Sequence, residues 1–128
     1  MSHTDIRIYS TLTKRKEPLV TGPDGVVRIY ACGPTVYSRI HIGNARPFVV
    51  FSVLKRFLDR VGHRAVLVCN VTDVNDKIYD AGRKEGITST EAAAKYTQAY
   101  FDDTDRLGLG RPTHEPTVVE TMPQIISL

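Results

Sequence analysis

Between Ala31 and Arg46 the chain reads Ala-Cys-Gly-Pro-Thr-Val-Tyr-Ser-Arg-Ile-His-Ile-Gly-Asn-Ala-Arg. Several of these side chains could do chemistry. Cys32 offers a thiolate to a metal ion. Gly33 and Pro34 make a tight turn. His41 and the Asn44 amide can donate hydrogen bonds to a polyphosphate as its charge rises in a transition state, and Gly43 lets a nucleotide come close to the backbone. A strand that runs through glycines into a helix presents free N–H groups and the positive end of a dipole to phosphate. The segment therefore implies a nucleotide site. The same His-Ile-Gly-Asn run also fits a plain helix cap, for Asn is a favoured N-cap. Its place at the carboxyl end of a strand, where open α/β sheets bind ligands, favours the phosphate reading.

The elements that would hold these residues follow from the pattern around them. Ile6 to Leu12 reads as a short strand or extended arm, and the polar stretch Thr13 to Pro23 as a surface loop. Pro23-Asp24-Gly25 is a turn signal. Val26 to Cys32 is a strand ended by Gly33-Pro34. A helix is expected from about Asn44 to Gly62, with Pro47 in its first turn. Val50, Leu54, Phe57, Leu58 and Val61 form its apolar stripe, and Lys55, Arg56, Asp59 and Arg60 lie opposite. Ala65 to Val71 is an apolar run of the kind found in parallel strands covered on both faces. Strand, crossover helix and strand make a βαβ unit.

A polar helix is expected from Asp73 to Glu85. Another opens at the capping box Thr88-Ser-Thr-Glu91 and runs to about Leu107. Arg111 to Pro116 reads as a loop. Thr121-Met-Pro-Gln124 matches a capping box once more and opens a last helix that breaks off with no stop signal. The fold class is α/β: half of a Rossmann-like, doubly wound parallel sheet.

Composition narrows the classes. The chain has 128 residues, enough for one modest domain, with 41% apolar and 24% charged residues. No apolar run approaches the ~20 residues of a membrane span, and the N-terminus lacks a signal-peptide layout. The two cysteines imply no disulfide framework, so a reduced, cytoplasmic protein is expected. A net charge of +3 permits an anionic partner without demanding one.

Other candidates are weaker. A zinc ion needs about four ligands, and no Cys-x-x-Cys or His-x-x-x-His stands near Cys32. Cys69 reads as core. His63 and His114 fall in expected loops and His3 in the N-terminal tail. In Asn70-Val-Thr-Asp-Val-Asn-Asp-Lys77, Thr72 and Asp73 would flank the crevice at the end of the second strand. Asp73 and Asp76 could hold Mg²⁺ or complement a helix dipole.

Ala-Cys-Gly-Pro-Thr-Val-Tyr, His-Ile-Gly-Asn-Ala-Arg-Pro and Asn-Val-Thr-Asp-Val-Asn-Asp-Lys, in this order and spacing, resemble the N-terminal half of the catalytic domain of the cysteinyl-tRNA synthetases. These are class I aminoacyl-tRNA synthetases. The opening Ile-Tyr-Ser-Thr-Leu-Thr-Lys-Arg-Lys-Glu and the closing Arg-Pro-Thr-His-Glu-Pro match as well, so the resemblance covers nearly the whole chain.

The resemblance implies specific roles. His41, Gly43 and Asn44 would bind ATP, and His41 and Asn44 would stabilise the adenylation transition state. The family signature is usually His-Ile-Gly-His, so Asn44 is a departure that keeps a donor without a charge. Gly33, Thr35 and Thr72 would line the cysteine pocket. Cys32 would be one ligand of a zinc ion that binds the substrate thiolate, which separates cysteine from serine. ATP as its Mg²⁺ complex, L-cysteine and the cysteine tRNA would be the partners, with no membrane.

The other zinc ligands, a second signature Lys-Met-Ser-Lys-Ser, the second half of the nucleotide-binding fold, the insertion and the anticodon-binding region have no counterpart in residues 1–128. The expectation is therefore a truncated piece of a monomeric parent, with little activity alone and a tendency to self-associate. Two other readings stay open. One is a ligase that joins cysteine to an amino sugar in thiol-cofactor synthesis. The other is a non-catalytic nucleotide-binding module.

Overall fold

The computed structural model describes residues 5–128; His3 lies outside them. The chain begins with an antiparallel hairpin, β1 (Arg7–Ser10) with β2 (Arg15–Pro18). β2 falls inside the stretch expected to be loop. Its Arg-Lys-Glu-Pro sequence carries no apolar alternation, and its pairing comes from the backbone of β1. Lys14 turns the hairpin with φ 56°.

β3 (Val26–Ala31) pairs in parallel with β4 (Arg64–Cys69), Val27 opposite Ala65 and Ala31 opposite Cys69. The helix α1 (Ile42–Arg60) connects them. Two further helices follow, α2 (Asp76–Glu85) and α3 (Ser89–Arg106), which pack on each other. The chain then returns beside β4. Bridges Val68–His114 and Val71–Thr117 are parallel, and the amides of Cys69 and Val71 donate to the carbonyls of His114 and Pro116 at 3.0 and 2.9 Å. The expected Arg111–Pro116 loop is thus a third parallel segment. Its prolines and polar residues hid it, since here the hydrogen bonds come from β4 rather than from local propensity.

Alternate residues of the two strands face the helices. Val27, Ala65 and Leu58 form one buried cluster with Ile29 and Leu54 packed on it. Val36, Val71, Ile78, Ala92, Ala93 and Tyr100 form another, with Ile40 and Phe48 against it. The Phe48 and Tyr100 rings, from α1 and α3, lie 5.4 Å apart. The other face carries exposed Arg28 and Tyr30 and half-buried Val66 and Val68. β4 is therefore covered fully on one face only, which corrects the expectation from its apolar run.

The apolar stripe of α1 is also corrected. Leu58 is buried and Leu54 and Val61 half-buried, but Val50 and Phe57 are exposed. The inward face is Ala45, Phe48, Ser52 and Leu58 instead. The helix starts two residues earlier than expected, so Pro47 lies past the first turn and leaves the Gly43 carbonyl without its amide four residues on. α2 starts at Asp76 behind its N-cap Asn75, not at Asp73. The capping box at Thr88 and Glu91 forms as expected. The last helix, α4 (Val118–Ile126), is capped by Thr117 rather than Thr121. No helix among the described residues is long and apolar enough to cross a membrane.

Candidate nucleotide and amino-acid site

Beyond β3 the chain stays in register with the end of β4. Thr35 and Thr72 form a parallel bridge. The Thr72 amide donates to the Pro34 carbonyl at 2.9 Å, and the Val36 amide donates to the Thr72 carbonyl at 3.1 Å. Gly33, Thr35 and Thr72, all half-buried, are thus brought together at the carboxyl ends of two adjacent parallel strands. Gly33 is required there: a Cβ would stand 1.6 Å from the Asn70 carbonyl oxygen.

From Val36 the chain crosses to the helix. Val36 and Ile40 anchor this segment in the core. Arg39 pairs with Asp103 of α3 at 2.7 Å, and Lys77 of α2 lies over the Tyr37 ring at 5.2 Å. These ties hold His41 at the start of α1.

His41, not Asn44, is the N-cap. Its Nδ1 accepts from the Gly43 amide at 3.1 Å, and Asn44 Oδ1 accepts from the His41 amide at 3.2 Å. The tetrapeptide is therefore a helix cap and a donor pair at once. A backbone N–H can only donate, so Nδ1 of the neutral imidazole is an acceptor and the ring proton sits on Nε2. By the same logic Asn44 keeps its Nδ2 hydrogens for another acceptor. Both side chains are exposed, and no acidic residue stands in the first turn of α1. A 19-residue helix with two outward donors at its positive end suits an anion. Gly43 serves this geometry too, since a Cβ there would meet the His41 ring at 2.9 Å.

Cys32 is exposed, and among the described residues no group of three or more His, Cys, Asp or Glu side chains could hold a metal ion. The described residues do not by themselves make a zinc site. Cys69 is buried and free, as expected for core, and its thiol is pushed up to about 11 by burial. Asp73 is engaged elsewhere: its Oδ1 accepts from the Val119 amide at 2.9 Å and fastens α4. Asp76 opens α2.

The structure adds a residue that pattern alone gave no role, Asn70. Its Oδ1 accepts from the Gly33 amide at 3.1 Å and from the Tyr30 hydroxyl at 3.0 Å, and its Nδ2 donates to Thr72 Oγ1 at 3.2 Å. The available signal was a lone amide side chain inside the run Val68-Cys69-Asn70-Val71. A cavity of about 220 Å³ lies between α1 and α3, lined by Phe48, Phe51, Ser52, Leu67, Cys69 and Tyr100.

Residues 19–128 match the family of class I (C) tRNA synthetase catalytic domains. The chain belongs to that family. Among the most similar proteins are three cysteine–tRNA ligases. That of Clostridioides difficile is 49% identical over 121 residues, covering 94% of this chain and 26% of the relative. That of Brevibacillus brevis is 46% identical with the same coverage. That of Carboxydothermus hydrogenoformans is 46% identical over 123 residues, or 96% of this chain and 26% of the relative. The chain thus spans about a quarter of the length of these relatives. The α/β arrangement of a parallel sheet with crossover helices agrees with the class I synthetase fold.

Proposed function

We propose that the chain supplies the N-terminal part of an active site that activates cysteine with ATP and ligates it to its tRNA. In that reaction the cysteine carboxylate attacks the α-phosphate of ATP and pyrophosphate leaves. The adenylate then passes its acyl group to the terminal ribose of the tRNA. The names of the relatives favour tRNA over an amino sugar as the acceptor.

The observation that carries this reading is the paired cap at His41 and Asn44. His41 Nε2–H and Asn44 Nδ2–H donate to phosphate oxygens as negative charge grows on them. They are held in advance by the bonds to Gly43 and to the His41 amide, so little reorganisation is needed. Gly33, Thr35 and Thr72 receive the amino acid at the strand ends. The chain's part is positioning and charge stabilisation, with no covalent nucleophile. Mg²⁺ arrives with ATP.

Titration of the chain with ATP and with a non-hydrolysable cysteinyl-adenylate analogue tests the proposal. The expected result is weak ATP binding, tighter analogue binding, and loss of both in His41→Ala. A chain that binds neither is a scaffold, and the proposal falls. Only slight cysteine-dependent pyrophosphate exchange is expected from the chain by itself; vigorous exchange would show that these residues suffice.

A further inference from the structure

We propose that Asn70 is a positioning residue that makes Thr72 a dedicated hydrogen-bond donor toward an oxygen of the amino acid's carboxyl group, free or carried in the adenylate. This rests on the reading of the Gly33–Thr35–Thr72 crevice as the cysteine pocket.

The orientation of the Asn70 carboxamide is chemically fixed. A peptide N–H has no lone pair to offer, so the atom it meets at 3.1 Å from Gly33 must be Oδ1. The Tyr30 hydroxyl adds a second donor to the same oxygen at 3.0 Å. Nδ2 is then the atom facing Thr72, 3.2 Å from Oγ1. An amide nitrogen of this kind only donates, so Thr72 Oγ1 accepts on that side. Its own proton must point elsewhere, and among the described residues its side-chain partner is Asn70. A threonine hydroxyl can ordinarily turn to donate or to accept. Here the turn is taken away, and the free O–H is left for an acceptor in the crevice.

The same carboxamide joins both walls. It holds the Gly33 amide from one side and the Thr72 hydroxyl from the other, while the main-chain bonds at Pro34 and Val36 keep the walls in register. Donor direction and pocket width therefore depend on one side chain. The network is part-buried, and a polar network fixes a geometry best when every member is satisfied.

Asn70→Asp separates these roles. The carboxylate still accepts from Gly33 and Tyr30, but it also accepts a hydrogen bond from the Thr72 O–H, which is then no longer free for the crevice. The chain and its Asn70→Asp, Thr72→Val, Thr72→Ser and Asn70→Asp/Thr72→Val variants are titrated with the cysteinyl-adenylate analogue and with ATP. The expected result is roughly tenfold weaker analogue binding in Asn70→Asp and in Thr72→Val, as for a lost hydrogen bond. The double variant shows no further loss, Thr72→Ser keeps wild-type affinity, and ATP binding is the same throughout. Wild-type affinity in Asn70→Asp overturns the inference. So does an Asn70→Asp loss that persists beside Thr72→Val, which would mark simple charge repulsion. Thr72→Ser as weak as Thr72→Val overturns it too, and that comparison stands if Asn70→Asp fails to fold. If the wild-type chain binds ATP and not the analogue, the cysteine-pocket reading itself is wrong and the inference goes with it.

Discussion

The α-carbon of Gly33 lies so close to the Asn70 carbonyl oxygen that a Cβ would stand 1.6 Å from it. Two strand ends are thus packed backbone to backbone, with the buried Cys69 sulfur 3.2 Å from the same point. Gly33→Ala has to push the Cys32–Thr35 segment off Asn70, and the atoms in its way are main chain. The expected cost is at least about 2 kcal/mol, at the upper part of the overpacking range. Urea unfolding measures it, and loss of analogue binding should accompany it. Unchanged stability would mean the crevice is wider than described.

His41 has two jobs that different substitutions divide. As N-cap it satisfies the Gly43 amide, and in the proposed site its Nε2–H would serve a phosphate. Asn is among the best caps, so His41→Asn should keep stability within about 0.5 kcal/mol, whereas His41→Ala should lose about 1 kcal/mol. Both should lose ATP affinity, because neither places a donor where Nε2 stands. Thermal melts alongside ATP titrations check this. ATP affinity surviving in His41→Asn would show that capping alone accounts for the histidine.

The pattern of residues revealed the elements that stabilise themselves locally. β3, β4, α1 and α3 carry apolar runs, helical spacing or a capping box, and each was legible. β2 and the 113–117 segment were not, for they are strands only because β1 and β4 offer them bonds. The candidate site was legible only as residues. Gly33, Thr35, Thr72 and the His41–Asn44 run were named from their motifs, and the structure brings the first three together. That Asn44 serves the cap from the third helical position, and that Asn70 ties the walls, depends on side-chain directions that spacing does not encode.

Cys32 brings one thiolate, and a zinc ion needs about four donors. Since the described residues hold no metal-ligating cluster, the chain alone should carry no stoichiometric zinc after dialysis against a weak chelator. Elemental analysis reads this directly. Retained zinc that disappears in Cys32→Ser would show that two or more chains pool their ligands.

The outward side of α1 exposes Val50, Val53 and Phe57, which are 55%, 57% and 45% accessible. Val49 adjoins them, and together they form an apolar strip at helical spacing of the kind that drives association. Light scattering after size exclusion should show a mass that rises with concentration. Val53→Glu with Phe57→Lys should return the chain to a monomer. A concentration-independent monomer in the unmodified chain would rule the strip out as a contact surface.

Cys69 gives the chain an alkaline weakness. Burial is the main cause that pushes its thiol from 9.0 up to about 11, with Glu115 and Cys32 nearby adding to it and a bond with Tyr100 opposing it. Between pH 9 and 11 the unfolded chain has lost this proton while the folded chain keeps it. The folded state then binds more protons, so stability falls as pH rises, and the loss is complete above 11. Two units correspond to about 3 kcal/mol. Tyr100 acts in the same direction, since burial raises its hydroxyl above the ordinary 10 as well, but its share begins only past that point. Cys69→Val should therefore flatten the stability curve from pH 9 to 10 and leave the steeper fall above it. Urea midpoints across pH 7 to 11 decide the matter, and an unchanged slope in Cys69→Val would assign the alkaline loss to Tyr100 alone.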